Sequence, residues 1–248
     1  MNSDFDNLFD SYVISLKRTP ERLENFRARN SKCGINFRYF EGIDHREIDL
    51  AEIASQITAP GTQFKPGSIG AAKSHLTLWK QCADQARNFI VLEDDTQARN
   101  DIKARLLETV GQLDEFDIVL LGCNTDRPLE INIAPGVTFG GGFSVPNPTA
   151  KILSDFATST NPVGLHRLNM SMGICGYVIS PRGAQLLIRE CFPMDHRVVR
   201  FASWNYAFPS QGIDDMMGSI YPRILAYTCM AQLVMTPNDH STSLTKNM

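Results

Sequence analysis

Short apolar runs that alternate with helix-period stretches constrain this chain more than any other feature. Tyr12, Val13, Ile14, Ser15 and Leu16 form a β-rich run, the mark of a buried strand. Thr19 and Pro20 follow as a helix N-cap and first helical residue; Leu23 and Phe26 give that helix an apolar face, and Gly34 can close it. Residues 36–40 alternate and are aromatic, a second strand. A strand–helix–strand opening favours a parallel pair. A short helix is expected within 45–57, and a longer one from Ser68, with Ile69, Ala72, Leu76, Trp79 and Ala83 on one stripe. Phe89, Ile90, Val91 and Leu92 read as a buried strand that stops abruptly at Glu93, Asp94 and Asp95. Ile102, Leu106, Val110 and Leu113 mark a further helix and residues 116–121 a further strand. The order predicts an α/β domain whose mainly parallel central sheet is flanked by helices.

The second half reads differently. Residues 124–170 are rich in Gly, Pro, Asn, Ser and Thr and show little periodicity, as functional loops or lids do. Residues 174–179 suggest a strand, Ser180 and Pro181 cap a helix to about 192, residues 193–212 form a second irregular insertion, and 224–234 have late strand character. No repeat or linker divides the chain, so one domain over 1–248 is expected.

Composition narrows the class. The chain has 248 residues, 43 % hydrophobic and 21 % charged, which excludes disordered, collagen-like and coiled-coil chains. At this length folding buries roughly 70–75 % of the unfolded surface, so no disulfide or structural metal is needed for a core. A net charge of −3 gives no electrostatic footprint for nucleic acid. The six cysteines, at 33, 82, 123, 175, 191 and 229, are never closer than sixteen positions, which excludes zinc ribbons and Cys-x-x-Cys redox pairs. Reduced thiols and a cytoplasmic protein are the expectation. The segment from Met1 to Asp6 is acidic and lacks the apolar stretch of a signal peptide, and no window reaches the ~20 apolar residues of a membrane span. Membrane contact is expected to be peripheral at most.

Glu93, Asp94 and Asp95 are the sharpest chemical signal. Carboxylates at the carboxyl end of a strand lie where open α/β sheets bind ligands. Like charges so close resist ionisation unless a cation neutralises them. A hard ion with oxygen ligands, Mn²⁺ or Mg²⁺, completed by substrate phosphates, suits them; a solvated acidic turn is the bland alternative. Lys17, Arg18 and Arg22, at the start of a helix, suit phosphate or a solvated face. His75 beside Ser74 reads as a histidine at a core edge, and Asp195, Asp214 and Asp215 as surface carboxylates. Dinucleotide, Walker, zincin and nucleophile-elbow motifs are absent, which removes dehydrogenases, P-loop enzymes, zincins and ordinary serine hydrolases.

Taken in order, residues 12–22, 40–44, 65–79, 89–95, 116–122 and 173–184 resemble the family 25 glycosyltransferases, the lipopolysaccharide-biosynthesis group that includes collagen galactosyltransferase domains. The resemblance implies a GT-A-type fold, with a nucleotide-binding part over about 10–123 and an acceptor-side part over about 124–248. It implies inverting, metal-dependent transfer of a sugar, usually galactose, from a UDP-sugar to a glycan or glycolipid such as lipooligosaccharide. By analogy Asp95 binds Mn²⁺ or Mg²⁺, and Glu93 lies near the ribose or a metal-bound water. Ser15, Leu16, Arg18, Arg22, Asp44, Ser74, His75 and Asp94 then belong to the donor side, and His240 in the C-terminal tail is a further metal ligand. Two segments compete for the catalytic base, 193–196 with Asp195 and 212–215 with Asp214 and Asp215. The second lies nearer the terminal strand, which favours Asp214. A metal-dependent phosphoesterase and a non-catalytic nucleotide- or glycan-binding module are the rival readings. A place at the inner face of the membrane follows from a glycolipid acceptor.

Overall fold

The computed structural model describes residues 2–239. Helix α1 (Asn2–Leu8) runs directly into strand β1 (Phe9–Ser15). Helix α2 (Pro20–Arg29) starts with its proline, whose missing N–H would have had no helical partner. Thr19 precedes it without capping it; its hydroxyl donates instead to the Leu16 carbonyl at 3.3 Å. β2 (Arg38–Glu41) follows, then α3 (Leu50–Ile57), capped by Asp49, which accepts from the Glu52 N–H at 3.0 Å. α4 (Pro66–Gln85) leads into β3 (Asn88–Glu93). Next come β4 (Gln97–Ala98), α5 (Ile102–Glu108) and β5 (Ile118–Gly122). The second half supplies β6 (Leu129–Ala134), β7 (Val137–Gly141), α6 (Ala150–Ala157), β8 (Gly164–Ser171), β9 (Gly176–Ile179) and α7 (Pro181–Cys191). β10 (Val198–Phe201), β11 (Tyr206–Pro209), α8 (Ile213–Gly218), β12 (Ala226–Met230) and β13 (Val234–Met235) complete the described chain.

Among the described residues nine strands form one sheet in the order β2-β1-β3-β9-β5-β12-β8-β6-β7. The expectation of a mainly parallel sheet is corrected: three neighbouring pairs are parallel and five antiparallel. β9 enters antiparallel between β3 and β5, and an apolar run reports burial, not the direction of its neighbours. Residues 124–170 are not one irregular lid either. They fold into β6, β7, α6 and β8, three strands of which extend the sheet at one edge. Residues 193–212 likewise contain the antiparallel β10–β11 pair.

The sheet separates two apolar clusters. Tyr12, Val91, Leu120 and Tyr177 pack with Trp79 of α4 and Leu187 of α7. Val13, Leu92, Leu121 and Val178 pack with Phe26 of α2 and Leu106 of α5. Neighbouring residues of one run thus serve opposite faces, the period-2 geometry of strands hidden inside continuous apolar sequence. All six cysteines are buried and unpaired. Among the described residues no helix is long and apolar enough to cross a membrane.

Candidate functional site

β1 and β3 run parallel with Ile14 opposite Glu93, so their carboxyl ends meet at one edge. A cleft of ≈ 550 Å³ opens there. Ser15, Leu16 and Arg22 line one side, Glu93, Asp94 and Asp95 the base, and Asn124, Arg127, Asp214 and Asp215 the other side. Ser74 and His75 of α4 also face it.

Asp94 is held from two directions. Ser15 Oγ donates to Oδ2 at 2.7 Å, and Arg22 Nε donates to Oδ1 at 2.8 Å while its Nη2 forms an ion pair with the same oxygen. Arg22 Nη2 also lies 3.8 Å from Asp95 Oδ2, and Arg29 Nη1 donates to the Asp95 carbonyl at 2.8 Å. The two arginines of α2 therefore fix the acidic turn in place. Arg18 is committed elsewhere, in an ion pair with Asp44. Neither Arg18 nor Asp44 lines the cleft, although Ile43 and His45 on either side of Asp44 do. Burial alone would raise the Asp44 carboxyl, but the Arg46 N–H and the Arg18 guanidinium hold it below its ordinary value.

The loop after β2 is fastened to α4. Ser74 Oγ accepts from the Ile43 N–H at 2.8 Å and donates to the Gly70 carbonyl at 2.8 Å. A Cβ on Gly70 would lie 2.5 Å from the Ile43 carbonyl oxygen, so only glycine permits this approach. His75 Nδ1 lies 2.9 Å from the Tyr177 hydroxyl, which also accepts from Trp79 Nε1 at 2.8 Å. Burial lowers the His75 pKa to about 4, so the ring is neutral at physiological pH. The other ring nitrogen, Nε2, lies 4.0 Å from Glu93 Oε1.

Glu93 and Asp95 experience the repulsion foreseen for a carboxylate cluster. Burial of the strand end and the charges of Asp95, Asp94 and Asp214 push the Glu93 carboxyl well above its ordinary value, although 44 % of its side chain faces the open cleft. Asp95 is raised by burial and by Asp94, against the pull of Arg22 and Arg29. Asp95 Oδ1 is buried without a hydrogen-bond partner. No group of three His, Cys, Asp or Glu among the described residues is arranged to hold an ion alone. Mg²⁺-type sites commonly use one or two carboxylates with substrate phosphates. Asp95 Oδ1, with Glu93 beside it, fits such a shared shell; Asp94, occupied by Ser15 and Arg22, does not offer a free donor. His240 lies outside the described residues.

Across the cleft, α8 begins with the second acidic pair. Asp214 Oδ2 accepts from the Gly173 N–H at 3.1 Å, and Asp215 Oδ2 from the Gln211 N–H at 2.8 Å. Asp215 is 3 % exposed and its Oδ1 has no partner. Burial, then the charge of Asp214, pushes its carboxyl up to about 7. Asp195 is not brought to the cleft. Arg197 Nε donates to its Oδ1 at 2.7 Å, and that hydrogen bond is the main cause of its lowered pKa. Sequence reasoning missed Phe64, Asn124, Arg127 and His196, all of which line the cleft. Asn124 was accessible to it, since it directly follows an apolar strand, the position at which ligands meet open sheets.

A family model described as glycosyltransferase family 25 (LPS biosynthesis protein) matches residues 9–198. The chain belongs to glycosyltransferase family 25. Similar proteins include a Haemophilus influenzae protein named "Putative glycosyltransferase", 30 % identical over 118 residues, 46 % of this chain and 42 % of the relative. Human procollagen galactosyltransferase 2 is 23 % identical over 202 residues, 74 % of this chain and 27 % of the relative. A human protein named inactive glycosyltransferase 25 family member 3 is 23 % identical over 154 residues, 55 % of this chain and 25 % of the relative. The chain thus spans less than half the length of each of these relatives. The family 25 match covers β1, β3 and the acidic turn and stops before α8, so Asp214 and Asp215 lie beyond it.

Proposed function

We propose that this chain is an inverting, metal-dependent glycosyltransferase that moves a sugar from a UDP-sugar to a glycan or glycolipid acceptor. The single observation that carries the reading is the meeting of two carboxylate groups across one cleft, Glu93–Asp95 at a strand end and Asp214–Asp215 at a helix start. Family 25 membership supports it. In this reading β1 to β5 form the nucleotide side of a GT-A-type fold and the segments after residue 124 form the acceptor side. The cytoplasm, against the inner face of a membrane, is the proposed location.

The roles follow from the contacts. Ser15 and Arg22 hold Asp94, which fixes the turn that presents Asp95. Asp95 and Glu93 would hold Mn²⁺ or Mg²⁺ with the donor diphosphate, where the ion neutralises charge growing on the leaving group. Ser15, Leu16, Ser74 and His75 wall the donor side, with the neutral His75 ring placing Nε2 4.0 Å from Glu93 Oε1. Asp214, oriented by the Gly173 N–H, accepts the proton of the acceptor hydroxyl. That oxygen then attacks the anomeric carbon from the face opposite the diphosphate.

A non-catalytic binding module is the second reading, favoured by the human relative named inactive. Calorimetry with UDP and UDP-sugars, with and without Mn²⁺, paired with a transfer assay, separates the two. Metal-dependent binding with transfer supports the enzyme; the same binding with no transfer supports the module. Donor turnover at full rate without an acceptor would point instead to a phosphoesterase.

A further inference from the structure

Nine large apolar side chains are exposed among the described residues, and all but Leu8 and Tyr39 lie within residues 133–145 and 198–206. Exposed apolar residues scattered singly need no explanation, but a contiguous group marks an interaction surface. These two segments are contiguous. The turn between β10 and β11 rests on β7, the outer strand of the sheet. The Ser203 N–H donates to Glu130 Oε1 at 2.6 Å, and a Cβ on Gly140 would meet Ser203 Cβ at 2.6 Å and Trp204 Nε1 at 3.2 Å. Glu130 is itself fully buried and also accepts from Asn169 at 2.8 Å, so a built anchor holds the hairpin against the sheet edge.

The chemistry of this surface is specific. Residues 131–150 contain no charged side chain, and residues 196–213 contain no carboxylate but include Arg197 and Arg200. Arg197 is paired with Asp195, whereas Arg200 is exposed on β10. Trp204 is 49 % exposed, Tyr206 55 % and Phe139 56 %. Exposed Trp, Tyr and Phe beside an arginine, with acid excluded, match a bilayer interface, where aromatic rings sit at headgroup depth and cations meet anionic lipid. The hairpin also rises from the cleft: His196 and Gln211, the residues flanking it, both line the site, and His196 Nδ1 bonds the Ser210 carbonyl at 2.9 Å.

We infer that the β10–β11 hairpin and the β7 edge dock this chain on an anionic lipid bilayer, with the cleft mouth beside the lipid surface. The inference rests on the membrane location proposed above and names the surface that would meet the lipid. It places the site where a lipid-borne substrate would be presented.

The test uses vesicles that carry no acceptor, so its outcome is independent of transfer. The full chain is mixed with vesicles of phosphatidylethanolamine and phosphatidylglycerol, and separately with phosphatidylcholine vesicles. The protein has two tryptophans, and Trp79 is fully buried, so a blue shift of emission reports Trp204. Co-sedimentation and the blue shift are expected with the anionic vesicles and much less with phosphatidylcholine. Arg200→Glu and the double variant Trp204→Ser/Tyr206→Ser should each weaken vesicle binding at least about tenfold while UDP affinity and melting temperature stay at wild-type values. Absence of vesicle binding, or binding untouched by either variant, overturns the inference. So does sedimentation velocity showing a dimer that the same substitutions dissociate, since the occupant is then a second copy.

Discussion

Ser15 and Asp94, 79 positions apart in the chain, are joined by a 2.7 Å hydrogen bond between their side chains. The parallel register of β1 and β3 brings the two strand ends together, and Arg22, in the first turn of α2, closes on the same carboxylate. The acidic turn is therefore a pre-positioned element rather than a solvated corner.

Asp94→Ala leaves the Ser15 hydroxyl and the Arg22 guanidinium without their acceptor. A cost of about 1–3 kcal/mol is expected, with weaker UDP binding, because the turn carrying Asp95 loses its anchor. Urea denaturation measures the first and calorimetry the second. A wild-type midpoint in the variant contradicts the anchoring role.

Asp95→Ala should behave differently. Its Oδ1 has no partner to orphan, and burial and Asp94 oppose its charge while Arg22, Arg29 and Thr236 favour it. The fold should survive with a urea midpoint near the wild-type value, while the gain in UDP affinity on adding Mn²⁺ disappears. Equal Mn²⁺-dependent affinity in variant and wild type removes Asp95 from the metal site.

Asp215 makes stability depend on pH in a definite sense. Its carboxyl rises from an ordinary 3.8 to about 7 in the folded chain. Between these values the folded state holds a proton that the unfolded state has released, so this group's contribution is lost as pH rises through that window. The slope for one proton is at most about 1.4 kcal/mol per pH unit. Glu93 and Asp95 shift in the same direction, so Asp215→Asn should lessen the decline rather than abolish it. Urea midpoints at pH 5 and pH 8 in both proteins give the comparison. An identical pH dependence would place the Asp215 proton elsewhere.

The parts of the molecule legible in the sequence were those set by local period. β1, α2, α4 and β3 follow from apolar runs and stripes, and the acidic end of β3 stands out because charge directly follows four buried residues. The antiparallel entry of β9 between β3 and β5 was not legible, because neighbour direction is decided by chain reversal over 50 or more residues rather than by residue type. Residues 129–141 did carry a hairpin signal, with Leu129, Ile131 and Ile133 alternating before Pro135 and Gly136. The surrounding Gly, Pro and Asn masked it. The resemblance to family 25 grouped Arg18, Arg22, Asp44 and Asp94 on the donor side, but the pairing that leaves Arg18 with Asp44 and Arg22 with Asp94 is a property of the folded loops.

Asp214 and Asp195 give opposite expectations. Asp214 faces the cleft on a backbone N–H, whereas Asp195 is engaged by Arg197 away from it. Asp214→Asn should lower kcat by roughly 10²–10⁴ with donor affinity little changed, and Asp195→Asn should cost under about tenfold. Steady-state kinetics on an identified acceptor decides between them. A crippled Asp195 variant beside an active Asp214 variant would move the base out of α8.

Sugar transfer at this cleft is read by mass spectrometry of glycan and glycolipid acceptors incubated with UDP-sugars and Mn²⁺. An acceptor should gain the mass of one sugar as UDP is released in equal amount, with both products lost on chelation and in Asp95→Ala. Release of UDP with no acceptor gaining mass, or tight UDP-sugar binding with no turnover on any acceptor, would contradict it.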